Sequence, residues 1–170
     1  MTIPIADTST GTSPGARSGV PFVVGELSLS ASTTPPSFNF TQAASESHEV
    51  PEGSLSPESN FFDSPAPGVL RYVGTAALRA RVSYAISITV TSSPAKTPFF
   101  SMLRKNGEIV LDTVQQGTID SANLFLSFSG SADKMLSLEP GDTLQVAIGG
   151  FIAGEYATLI SALIILASRI

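Results

Sequence analysis

The sequence predicts an all-β protein: an eight-stranded antiparallel jelly-roll sandwich over residues 61–170, preceded by an extended N-terminal arm over residues 1–60. Three observations carry this reading. From residue 69 onward, short runs alternate apolar and polar residues, the period of a strand with one buried face. Turn-forming Asn-Gly and Pro-Gly pairs punctuate those runs. No segment carries the period of an amphipathic helix. About eight short strands in ~100 residues fit a double-sheet sandwich, which leaves few exposed sheet edges.

The elements follow in order. Residues 1–68 hold one basic residue, Arg17, against seven acids, whereas 69–170 hold eight basic and seven acidic residues. Stretches such as TSTGTSPGARSG and EVPEGSLSPESN have little to bury and read as extended chain. Apolar islands interrupt them at 20–29 and at Phe38-Asn39-Phe40. An arm of this kind lies along a partner surface and inserts Phe22, Val24, Phe38 or Phe40 into pockets; alternatively, 20–29 is the first strand of the domain.

Val69 to Leu78 reads as a strand, and Arg81 to Thr91 alternates cleanly, with Val82, Tyr84, Ile86, Ile88 and Val90 on one face. Phe99–Arg104 and Glu108–Val114 flank Asn106-Gly107, a pair suited to a two-residue hairpin turn because both residues adopt positive φ. Lys105 and Glu108 then face each other across the hairpin. Leu124, Leu126 and Phe128 give another one-faced strand, with a short one near Met135. Pro140-Gly141 forms a tight turn, which feeds Leu144, Val146 and Ile148 and then a loop from Gly149 to Gly154.

The closing run, Ala157 to Ile170, is apolar at odd and even positions alike. Simple alternation puts Leu159, Leu163 and Ile165 on one face and Ile160, Ile164 and Leu166 on the other. The run is too short for a membrane helix, which needs about 20 apolar residues, and its β-branched residues favour strand. A strand dry on both faces needs protein on both sides. The second cover is then another copy of the chain, with one of the two sets lining the contact and Leu163→Asp yielding monomer or aggregate. Burial wholly within one subunit is the competing reading.

The features above resemble, in their order, the trimeric jelly rolls of the tumour necrosis factor and complement-type superfamily, and its viral and bacteriophage members best. The matching stretches are Leu70-Arg71-Tyr72-Val73-Gly74-Thr75, the alternating strand after it, Arg104-Lys105-Asn106-Gly107-Glu108, Leu138 to Asp142, and the apolar terminal strand. The resemblance implies a homotrimer with the closing strand near its axis.

Composition narrows the function. Charge is sparse at 14% and the net value is −5, which argues against a nucleic-acid surface. Without cysteine there is no disulfide or cysteine metal site. The start MTIPIADTST lacks the basic region and apolar core of a signal peptide. No catalytic residues, metal or cofactor are expected. The single histidine, His48, sits among Glu46, Glu49 and Glu52 as a solvated arm residue rather than a ligand. Asp112, Asp120, Asp133 and Asp142 fall near turns, where aspartate caps backbone groups. With those classes set aside, the resemblance implies a trimeric decoration, cement or minor capsid protein on the capsid surface of a virion, its arm gripping neighbouring capsid subunits, with no membrane partner. The alternative is the receptor-binding knob of a viral fibre or spike, using loops 92–98, 115–122 and 149–155.

Overall fold

The computed structural model describes residues 24–29, 34–93, 97–119 and 126–170, which build an all-β sandwich of two antiparallel sheets. The chain opens with β1 (Val24–Ser28) and β2 (Ser37–Gln42), followed by three two-residue strands, β3 (His48–Glu49), β4 (Ser54–Leu55) and β5 (Phe62–Asp63). Next come β6 (Leu70–Tyr72), the long β7 (Leu78–Ser92), β8 (Thr97–Lys105) and β9 (Glu108–Ile109). A 3₁₀ turn at Leu111–Thr113 leads to β10 (Gln115–Ile119), β11 (Leu126–Leu138), β12 (Thr143–Gly150) and the closing β13 (Gly154–Arg169).

One sheet runs β11-β7-β13-β1-β4, with β2 also paired to β13; the other runs β10-β8-β12-β6-β5, with β3 on β12 and β9 on β8. The closing strand is therefore central rather than peripheral. It pairs with β7 along one edge, and with β2 and then β1 along the other. Between the sheets lie Tyr84, Ile86 and Ile88 of β7, Phe99 and Leu103 of β8, Val146 and Ile148 of β12, and Ile160 and Ile165 of β13.

Much of the predicted pattern stands in place. Val82, Tyr84, Ile86, Ile88 and Val90 are all buried. The hairpin turn has Asn106 at φ 52° and Gly107 at φ 79°, and Lys105 opposes Glu108. Gly141, at φ 94°, completes the Pro140-Gly141 turn. Other elements differ. Val69–Leu78 is not one strand, because the chain turns between β6 and β7 and the Tyr72 hydroxyl caps that turn on the Ala76 carbonyl at 2.8 Å. The segment at Phe128 and the one near Met135 are a single strand, β11, paired with β7 over its whole length.

The largest correction concerns the arm. Residues 24–29 and 34–60 are built into the sandwich instead of extending from it. Backbone pairing and a few apolar side chains hold these short strands. Val50 is fully buried and donates its N–H to the Val146 carbonyl at 2.8 Å. Ser56 and Asn60 donate to the carbonyls of Glu26 and Val24, both at 2.8 Å. Gly53, at φ 105°, lets the chain pass where a Cβ would strike Leu27. These sparse contacts carry no period that a sequence window detects.

Two knots of polar groups fix the ends of strands. Asp142 accepts from Asn106 Nδ2 at 2.6 Å, Lys105 Nζ at 2.7 Å and the Glu139 N–H at 2.7 Å, tying the two turns together. Burial works to raise its carboxyl, but these hydrogen bonds and the Lys105 charge hold it below the ordinary 3.8. Across the core, the Tyr84 hydroxyl meets Ser101 Oγ at 3.0 Å and donates to the Thr113 carbonyl at 2.9 Å. Burial raises the Tyr84 pKa, so the ring stays neutral and keeps its donor.

Candidate functional site: the outer face of the long-strand sheet

The candidate site is the outward face of β7, β11 and β13, and a β-bulge determines which residues it holds. The buried positions of β13 run Tyr156, Thr158, Ile160, then Leu163, Ile165 and Ala167. The step of two becomes three once, around Ser161. There the register passes from Ile160 opposite Ile88 to Ala162 opposite Ser87, leaving Ser161 as the extra residue. One extra residue inverts which faces the following side chains meet. The Ser161 hydroxyl donates to the Ser87 carbonyl at 3.0 Å and holds the bulge.

The two sets given by simple alternation are therefore both mixed. Ile160, Leu163 and Ile165 point into the chain's own core and cannot line a subunit contact. Leu159, Ile164 and Leu166 share the outer face, where Ile164 is 36% exposed and Leu159 and Leu166 are half-buried. Around them the face is made of small side chains: Ala85 and Ser87 on β7, Ser129 and Ser131 on β11, Ala162 on β13. These five and Ile164 border a shallow hollow of about 360 Å³ with no charged residue in its wall. Charge stands toward the ends of the face, with Arg79 and the Arg81–Asp133 pair at one end and Glu155 at the other. A face of this kind has little hydration to lose and nothing bulky to obstruct a second protein surface.

The proposed arm anchors fall elsewhere. Phe40 lies inside the sandwich, its ring stacked 5.1 Å from Tyr156 and 4.6 Å from His48. Phe38 packs on Phe40 at 5.4 Å, and its carbonyl accepts from Thr158 Oγ1 at 2.7 Å. Val24 is half-buried, and its N–H donates to Asn60 Oδ1 at 3.1 Å. All three serve the chain's own fold because β1 and β2 pair with β13. Phe22 lies outside the described residues.

His48 is not a solvated arm residue either. It sits on β3, largely covered, with Nε2 3.7 Å from Glu46 Oε2. Glu49 pairs with Arg104 at 3.3 Å instead of joining the histidine. Among the described residues, no three of His, Cys, Asp or Glu come together as a metal site. Asp112 pairs with Lys134, whose hydrogen bond lowers the carboxyl pKa, and Asp120 lies outside the described residues.

No family model matches the sequence, and no curated protein does. Solved structures do match. The Eiger TNF of S. frugiperda superposes with a TM-score of 0.56 at 17% identity, covering 88% of this chain and 94% of that one. Murine APRIL gives 0.55 at 10% identity, over 88% of this chain and 100% of the other. The PRD1 vertex protein gives 0.50 at 12% identity, over 87% of this chain and 73% of that one. At such identities the likeness speaks to architecture, and the architecture is a jelly roll of the tumour necrosis factor type.

Proposed function

We propose that this chain is a virion structural protein, a homotrimeric decoration, cement or minor capsid protein held at the capsid surface. The observation that carries the reading is the charge-free middle of the outer face of β7, β11 and β13, with Leu159, Ile164 and Leu166 exposed or half-buried on that face. A closing strand paired on both edges has no reason to keep these residues apolar unless that face is covered. Three copies packed around the β13 faces would cover it. The fold shared with a phage vertex protein supports a place on a particle.

Attachment is assigned to the segment preceding Val24, since residues from Val24 onward belong largely to the sandwich. Three such segments on one trimer bind with avidity, so each contact can be weak. The test is co-sedimentation with particles lacking this protein. Chain lacking residues 1–23 is expected to remain trimeric and stay in the supernatant; truncated trimers that still pellet with particles would count against attachment through this segment.

A second reading, the receptor-binding knob, has one observation in its favour. Phe151 and Ile152, each 38% exposed, stand at the tip of the β12–β13 loop, and the Phe151 ring sits edge-on to Phe100 at 5.1 Å. Exposed apolar side chains at a loop tip suit a protein partner. A Phe151→Ser variant that attaches to particles normally but loses host-cell binding would favour this reading.

A further inference from the structure

We propose that the end of the sandwich where β1 begins carries a binding site for an acidic, apolar-flanked peptide segment of the partner on the particle. This deepens the assembly role and rests on it. The site is a cavity of about 330 Å³ whose wall includes Phe61, Leu78, Arg79, Arg169 and Ile170.

Charge bookkeeping singles this cavity out. The chain is acidic overall, with 14 carboxylates against nine lysines and arginines. Seven of those cations lie among the described residues, and five are held in ion pairs with carboxylates. The two that have no carboxylate partner are Arg79 and Arg169, and both line this one cavity. No aspartate or glutamate side chain is in its wall. Two arginines without an aspartate or glutamate partner lining one hollow make it locally positive in a protein of net charge −5, and a guanidinium fork suits a carboxylate.

The rest of the wall favours a peptide over a sugar acid. Phe61 is 45% exposed, and its backbone is held at φ 57°, a conformation that a bulky residue seldom adopts. Its carbonyl accepts the Val73 N–H at 2.9 Å, which fixes the bend. Leu78, Ala76, Ala77 and Ile170 add further apolar surface. Against these, Thr75 offers the one side-chain hydroxyl not already engaged, since the Tyr72 hydroxyl is bonded to Ala76. A sugar acid would leave several hydroxyls unmatched there. An aspartate or glutamate beside a leucine or valine matches both halves of the site. The cavity lies next to the attachment segment, whose grip it supplements without replacing: Val24 pairs with Ser168, so the chain enters β1 beside Arg169.

The experiment uses the full chain on an array of pentapeptides in which each Asp- or Glu-containing member with apolar flanks has an Asn or Gln twin. Acidic members are expected to bind about tenfold or more tighter than their twins, in keeping with charge-assisted hydrogen bonds. The Arg79→Gln, Arg169→Gln double variant, checked for unchanged mass and melting, should lose that preference. Equal binding of the twins, no binding at all, or a preference that survives in the double variant would overturn the proposal. Stronger capture of N-acetylneuraminic acid than of any peptide would overturn it in favour of a sugar acid. Should these arms fail while truncated trimers still lose particle attachment, only this site falls and the assembly role stands.

Discussion

Asp142 shows how much one side chain can hold in a fold made of turns and edges. Its three hydrogen bonds join the Asn106-Gly107 turn, which closes the β8–β9 hairpin, to the Pro140-Gly141 turn, which carries the chain from β11 in one sheet to β12 in the other. Asp142→Ala hands the exposed donors of Asn106 and Glu139 back to water and is expected to cost about 0.5–1.5 kcal/mol in urea unfolding. Because folding lowers this carboxyl's pKa, its contribution is fully present above the ordinary 3.8 and is lost as pH falls through the lowered value. The wild-type advantage over Asp142→Ala should therefore shrink in acid, which paired melts at neutral and acidic pH would show. At the neighbouring scale of Leu163 and Ile164, the bulge separates two substitutions that simple alternation also separates, but with opposite outcomes. Leu163→Asp puts a charge into the core and should abolish cooperative melting; Ile164→Asp should leave the monomer fold intact by circular dichroism.

At the scale of elements, legibility followed period. The strand around Ile86, both glycine turns and the Leu144 strand could be read because alternation and turn chemistry act within a few residues. The closing run was legible as a strand, yet its faces were not, since the phase changes at one residue. The only trace of that change is Ser161-Ala162, two small residues interrupting a row of Ile and Leu. Deleting Ser161 should slide the second half of β13 by one residue, turning Leu163, Ile165 and Ala167 outward, and yield insoluble chain. β2 to β5 were hidden for a different reason. They are short edge strands, three of them two residues long, fixed by long-range backbone pairing, and such partners are invisible in a local window. Among the candidate site residues, Leu159, Ile164 and Leu166 were within reach of the sequence; the small-residue surroundings on β7 and β11 became meaningful only when the sheet order placed them beside β13.

At the scale of the whole molecule, β1 and β2 belong to the sandwich, so a truncation at residue 60 and one at residue 23 should behave in opposite ways. Removing residues 1–60 strips two strands from the edge of β13 and is expected to give aggregate, while removing 1–23 takes away none of the described strands and is expected to leave folded chain. The central claim is that the outer face of the β11-β7-β13 sheet joins copies of the chain. Its most direct test is the mass in solution, by light scattering, of the full chain and of Ile164→Asp side by side. The account predicts three times 17.6 kDa for the full chain and a folded particle of 17.6 kDa for the variant. A monomeric full chain, or a variant that keeps the trimer mass, would contradict it.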